Sequence, residues 1–168
     1  MTEIQAYEVL ESHKGFELRS YPAHTIVSVA SPGDLGSAGM GAFGYLAGYI
    51  GGRNQSNQAI ARTAPVLQEK KGSGFQVSFV LPAEMTSHPS PTDPRLALET
   101  REPSVMAAIR FSGMASESLF EKKAEQLSKL CSEAGFKVLS EPLFARYNGP
   151  WTPPMLRRNE VLLKVQRA

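Results

Sequence analysis

The stretch Phe75-Gln76-Val77-Ser78-Phe79-Val80-Leu81 alternates apolar and polar side chains. Phe75, Val77, Phe79 and Leu81 share one side of an extended chain, and Gln76 and Ser78 the other, which is the period of a half-buried β-strand. Upstream, Leu35, Phe43, Leu46 and Ile50 recur at near-helical spacing, and Gly51-Gly52 follows as glycine commonly does at a helix C-terminus. Between them, residues 53–64 are polar and irregular, and residues 65–68 suggest a short strand.

Working outward, residues 7–11 and 16–21 read as short strands around the turn residues His13, Lys14 and Gly15. Residues 25–31 form a β-branched strand stopped by Pro32-Gly33. Residues 82–95 hold four prolines and read as a loop, long enough to be either functional or mobile. Residues 96–101 and 105–111 are expected to form a hairpin around Glu102-Pro103. Ser118 and Glu121 fit a capping box, opening a helix with the apolar stripe Phe120, Ala124, Leu127, Cys131 and Ala134 and Gly135 at its end. Strands over residues 137–147 and 160–166, joined by a proline-rich loop, complete the chain. The element order suggests two similar halves. The expectation is a single α+β domain over residues 1–168, a distorted antiparallel barrel or twisted sheet with two long helices outside it.

Composition narrows the function. The chain has 168 residues and a formal net charge of +2, with basic residues scattered, which argues against nucleic acid. Its one cysteine, Cys131, excludes an internal disulfide and a multi-thiolate zinc site, and lies on an apolar helix stripe as a small core residue. No segment reads as a membrane span or as a leader at the start of the sequence, so the expected compartment is the cytoplasm. The sequon Asn54-Gln55-Ser56 carries no weight without a secretion signal.

Gly39-Met40-Gly41-Ala42-Phe43-Gly44 matches a dinucleotide-binding expression, but no strand directly precedes it and no acidic residue follows at the required distance. Gly36, Gly41, Gly44 and Gly48 nevertheless sit inside a predicted helix, where each costs about 0.8–1 kcal/mol relative to alanine. Two readings are open: close packing of the helix backbone on the sheet, or a smooth floor for a planar ligand. His13, His24 and His88 show no metal-ligand spacing; His24, beside a strand, is the candidate for a single axial ligand to a heme iron. Glu160, next to Arg157 and Arg158, is the carboxylate to watch, with an ion pair as the simpler reading.

A set of short motifs, in order, is more specific: Tyr7-Glu8-Val9, residues 16–21, residues 49–54, Arg62-Thr63-Ala64-Pro65-Val66, Phe111-Ser112-Gly113, Tyr147-Asn148 and Arg157-Arg158-Asn159-Glu160-Val161. Together they resemble the SOUL family of heme-binding proteins over nearly the whole chain. The resemblance implies two pseudo-symmetric halves and a shallow apolar groove for heme or another tetrapyrrole. Its walls would be Met40, Phe43 and Ala47 on the first long helix and residues 151–156, including Trp151, Met155 and Leu156, in the last loop. Arg62, Arg157 or Arg158 would pair with the ligand's propionates. Two departures stand out: Arg62 replaces a methionine usual in the family, and Ser20 falls where one branch has its proposed axial histidine, so that ligation is not available here. The fold also resembles gyrase-inhibitor-like effector-binding domains. This keeps two alternatives open, a small-molecule binder or hydrolase using Glu160, and a protein-interaction module whose groove takes a partner helix.

Overall fold

The computed structural model describes residues 2–168. Along the chain the elements are β1 (Glu3–Ile4), β2 (Glu8–His13), β3 (Phe16–Tyr21), β4 (His24–Pro32), α1 (Leu35–Ile50), β5 (Thr63–Ala64), β6 (Val66–Lys71), β7 (Gly74–Val80), β8 (Ala97–Arg101), β9 (Ser104–Phe111), α2 (Glu117–Glu133), β10 (Phe136–Val138), β11 (Leu143–Arg146) and β12 (Asn159–Arg167). They form two compact units. Among the described residues, unit 1 comprises residues 2–5 and 23–102, and unit 2 comprises residues 6–22 and 103–168.

Unit 1 is an antiparallel sheet in the order β8-β4-β7-β6, with α1 packed on β4 and β7. Every residue of β7 is buried, so the polar side expected to face solvent is covered as well. Close approach of β4 requires Gly74, because a Cβ there would lie 2.2 Å from the carbonyl oxygen of Ser31. The helix begins where the side chain of Asp34 accepts a 2.9 Å bond from the amide of Ser37. It buries Leu35, Ala38, Ala42, Leu46 and Tyr49. This inner stripe differs from the expected one, since Phe43 points outward.

The last turn of α1 anchors the rest of the unit. The Tyr49 hydroxyl donates to the carbonyl of Pro89 at 2.7 Å, and the buried Asn54 amide donates to the carbonyls of Tyr49 and Gln58 while accepting from the amides of Ser56 and Gln58. Asn54 is thus consumed as a turn organiser, and its sequon is not a surface acceptor. The proline-rich loop of residues 82–95 is tied down through Pro89, Ser90 and the bridge between Pro91 and Asn54.

Unit 2 repeats the plan. Its strands run β2-β3-β9-β12, with β11 and β10 following one another along the far side of β12. Helix α2 packs on β9, β10 and β12, burying Phe120, Leu127 and Cys131, with Phe120 5.0 Å from the rings of both Phe111 and Phe144. The cap is Ser116, whose hydroxyl accepts from the amide of Leu119, two residues before the expected capping box. The expected strand over residues 137–147 is split into β10 and β11, with Pro142, which cannot donate to a ladder, in the gap.

The expected hairpin over residues 96–111 does not form. Strand β8 pairs with β4 in unit 1, whereas β9 pairs with β3 and β12 in unit 2. Two linking residues, Glu102 and Pro103, lack the positive-φ residue that a two-residue hairpin needs. The same happens at Pro22-Ala23, between β3 and β4. Each unit therefore has the order strand, helix-bearing strand, long strand, with β8-β4-β7 matching β3-β9-β12. Each takes its first strand from the sequence of the other half. The α+β class and the pseudo-symmetric halves hold. Of the two expected forms, the open sheet is found, since neither unit's sheet closes into a barrel. No helix among the described residues is long and apolar enough to cross a membrane.

Candidate functional site

In unit 1 the outward side of α1 is apolar. Met40 is 83% exposed and Phe43 43% exposed, and Gly44 and half-buried Ala47 continue the same surface. A Cβ added at Gly44 would meet nothing within 4 Å, so neither packing nor backbone conformation calls for glycine there. Gly41 is different, because its Cβ would come 3.0 Å from Ser31 Oγ. Close packing thus accounts for Gly41, and Gly44 has open space above it. Phe43 is braced by Phe79 beneath, at 6.0 Å edge to face, and carries the guanidinium of Arg62 over its ring at 5.2 Å. The corresponding face of α2 bears Glu121, Lys122, Glu125, Gln126 and Lys129, the ordinary dress of a surface helix. His24 opens β4, half-buried and in register with Arg101.

In unit 2 the loop after β11 presents a second apolar surface. Trp151, Met155 and Leu156 are 75%, 79% and 69% exposed around a short 3-10 turn over Pro154–Leu156. Arg157 holds this loop from within, its Nε donating to the carbonyl of Thr152 at 2.8 Å and its Nη2 to that of Pro150 at 2.9 Å. Asn159 donates to the carbonyl of Gly113, whose amide donates to that of Pro154, so the Phe111-Ser112-Gly113 turn fastens the loop from the other side.

Behind it lies a network that spacing alone does not reveal. Glu160 is fully buried and receives two 2.8 Å bonds from Arg19, one of 2.7 Å from the Tyr147 hydroxyl, and two from Arg158 at 3.0 and 3.2 Å. The Arg19 guanidinium lies over the ring of Tyr7 at 4.1 Å and donates to the hydroxyl of Tyr21. Arg158 lies over Tyr147 at 4.0 Å and donates to the Tyr7 hydroxyl. Burial pushes the Glu160 carboxyl up, but the bonds and charge of Arg19, then Tyr147 and Arg158, outweigh it and hold the carboxyl below the usual range. Burial likewise raises the Tyr21 hydroxyl to about 12, and raises that of Tyr147.

A carboxylate fixed in its charged form by two guanidiniums is a weak base and has little capacity left for an added cation. The simpler of the two readings of Glu160, an ion pair, is the one found. Of the arginines considered for propionates, Arg158 is committed to Glu160 and Tyr7, and Arg157 to the loop backbone, while Arg62 lies exposed on Phe43. Among the described residues, no group of three or more His, Cys, Asp or Glu side chains is placed to hold a metal ion.

The ordered motifs of the sequence thus acquire physical roles: Tyr7, Arg19, Tyr21, Tyr147, Arg158 and Glu160 form one network, and Tyr49 with Asn54 the α1 anchor. A family profile described as SOUL heme-binding protein matches residues 2–164. The chain belongs to the SOUL family. The chain is 28% identical to heme-binding protein 2 of Mus musculus, over 99% of this chain and 86% of that protein. It is 30% identical to heme-binding protein 1 of Sus scrofa, over 68% of this chain and 65% of that protein. As a fold, this SOUL chain is similar to the C-terminal domain of EcmrR, with a TM-score of 0.67 at 14% identity over 96% of this chain and 99% of that one. It is also similar to a hydrolase from Listeria innocua, with a TM-score of 0.65 at 13% identity over 94% of each chain. At those identities the likeness concerns architecture alone.

Proposed function

We propose that this SOUL protein binds heme or another tetrapyrrole, chiefly by apolar contact with the ring, and serves as a carrier, buffer or sensor rather than a catalyst. The observation that supports this most is the outward face of α1. An uncharged surface helix with Met40 and Phe43 exposed, and beside Phe43 a glycine, Gly44, that no packing requires, suits a flat apolar partner. A helix-interior glycine in open space costs stability without structural return. A ring lying on the backbone would supply the return.

The side chains fit such a ligand. Phe43 and Trp151 offer ring stacking, Met40 and Met155 adaptable contact, and Arg62 a cation for an acidic substituent. Two apolar surfaces qualify, one on each unit, and variants on each assign the ring. His24 is the residue to which an axial bond to iron is assigned, should iron be ligated. The cytoplasm is the proposed compartment, in keeping with a lone buried thiol at Cys131.

The deciding experiment is a titration of purified protein with hemin and, separately, with iron-free protoporphyrin IX, followed by absorbance. Saturable binding of both, weakened at least tenfold by Phe43→Asp, is expected. Binding of hemin alone, abolished by His24→Ala, moves the affinity from ring to iron. Binding of neither ends the tetrapyrrole reading.

A further inference from the structure

One cation in unit 2 lacks compensation. Arg146 ends β11 opposite Asn159 of β12. Its Nε is shut off from solvent and has no hydrogen-bond partner among the described residues. Alternation along the strand puts Ala145 and Tyr147 on the face of Glu160, and Arg146 on the opposite face with Asn159. The one buried carboxylate nearby is thus on the wrong side and already saturated. The charge that acts on Arg146 is that of Arg157, of the same sign, and burial together with this repulsion lowers its pKa. An arginine in such a place costs stability unless an anion joins it. Its strand partner Asn159 bonds the turn that itself bonds Pro154, and Arg146 is the last residue of the strand from which the loop bearing Met155 and Leu156 departs.

We propose that Arg146, with Arg157 beside it, is an anion site that takes a carboxylate of an amphipathic ligand whose apolar body lies on Trp151, Met155 and Leu156. That the ligand is a tetrapyrrole diacid rests on the function proposed above. Arg146 Nε has no acceptor among the described residues, whereas Nε and Nη2 of Arg157 are used by the loop. Arg157 contributes charge and holds the loop in position.

The test compares protoporphyrin IX with its dimethyl ester, on the native protein and on Arg146→Met. The native protein is expected to prefer the free acid by roughly tenfold or more, the scale of a charged hydrogen bond, and the variant to bind acid and ester alike. The variant is expected to unfold at the same or a higher temperature, because the removed group has no partner; Arg146→Lys should keep part of the preference. An unchanged acid-to-ester ratio in Arg146→Met overturns the anion site and leaves tetrapyrrole binding standing. If neither porphyrin binds the native protein, the tetrapyrrole reading fails, and glutarate decides the site. A rise in unfolding temperature with glutarate, absent in Arg146→Met at equal ionic strength, upholds it, and no rise removes it.

Discussion

Arg19 and Glu160 are 141 residues apart in sequence and meet through two parallel 2.8 Å hydrogen bonds, with both side chains closed to solvent. Such a pair fastens β3 to the end of the chain through side chains as well as through the sheet. Breaking it from one side leaves a buried charge short of its main partner: Glu160 would keep Arg158 and Tyr147, and Arg19 would keep only the half-buried Glu17 as a carboxylate.

Arg19→Ala and Glu160→Gln should each lower unfolding free energy by up to about 3–5 kcal/mol, the usual cost of removing one partner of a buried pair, with Arg158 on Glu160 and Glu17 on Arg19 limiting the loss. Urea unfolding measures this. A drop below about 1 kcal/mol would mean that water reaches the site.

The same pair sets an acid limit. The Glu160 carboxyl is held below its ordinary value in the fold, so its contribution is complete above the unfolded value near 4.3 and is lost as pH falls through the lower folded value. Unfolding temperature measured down the acid limb should fall less steeply in Glu160→Gln than in the native protein.

Two glycine-to-alanine changes should have opposite signs. At Gly74 the new methyl meets the Ser31 carbonyl, and a loss of about 1–3 kcal/mol, typical of overpacking, is expected. At Gly44 the methyl enters open space, and helix propensity should raise stability by about 0.8–1 kcal/mol. If the ring lies on that backbone, Gly44→Ala also weakens hemin binding, so stability and affinity move apart in one variant.

Cys131 is buried on α2 and its thiol is pushed up to about 11 by burial. A disulfide reagent at neutral pH should leave it unmodified in the folded protein and label it fully in denaturant. Rapid labelling of the native state would show that α2 opens.

Much of this was legible in the sequence because local chemistry dictated it. The end of α1 follows from Gly51-Gly52, and β7 from the alternation of Phe75, Val77 and Phe79 with Gln76 and Ser78. What escaped depended on distant partners. Nothing local distinguishes Arg19 in a short strand from a solvated arginine, since its burial depends on Glu160. The half-buried Arg146, with its enclosed Nε, carried no motif at all. Ser116 was passed over for Ser118 because a capping box needs Glu at the third position, whereas the cap here uses only the serine hydroxyl. The hairpin over residues 96–111 was misread because periodicity identifies strands without choosing their neighbours. The proposed ligand surfaces on Phe43 and Trp151 were named from resemblance, and what the structure adds is their exposure.

The exchange of first strands has a consequence for how the protein can be taken apart. A protease nick within residues 82–95 would separate the sequence into two pieces, yet β3 on the first piece is laddered to β9 on the second, and β8 on the second to β4 on the first. Neither piece owns a complete sheet. The nicked protein should migrate as one species until denatured, and the two fragments, expressed apart, should each remain unfolded and regain structure only when mixed.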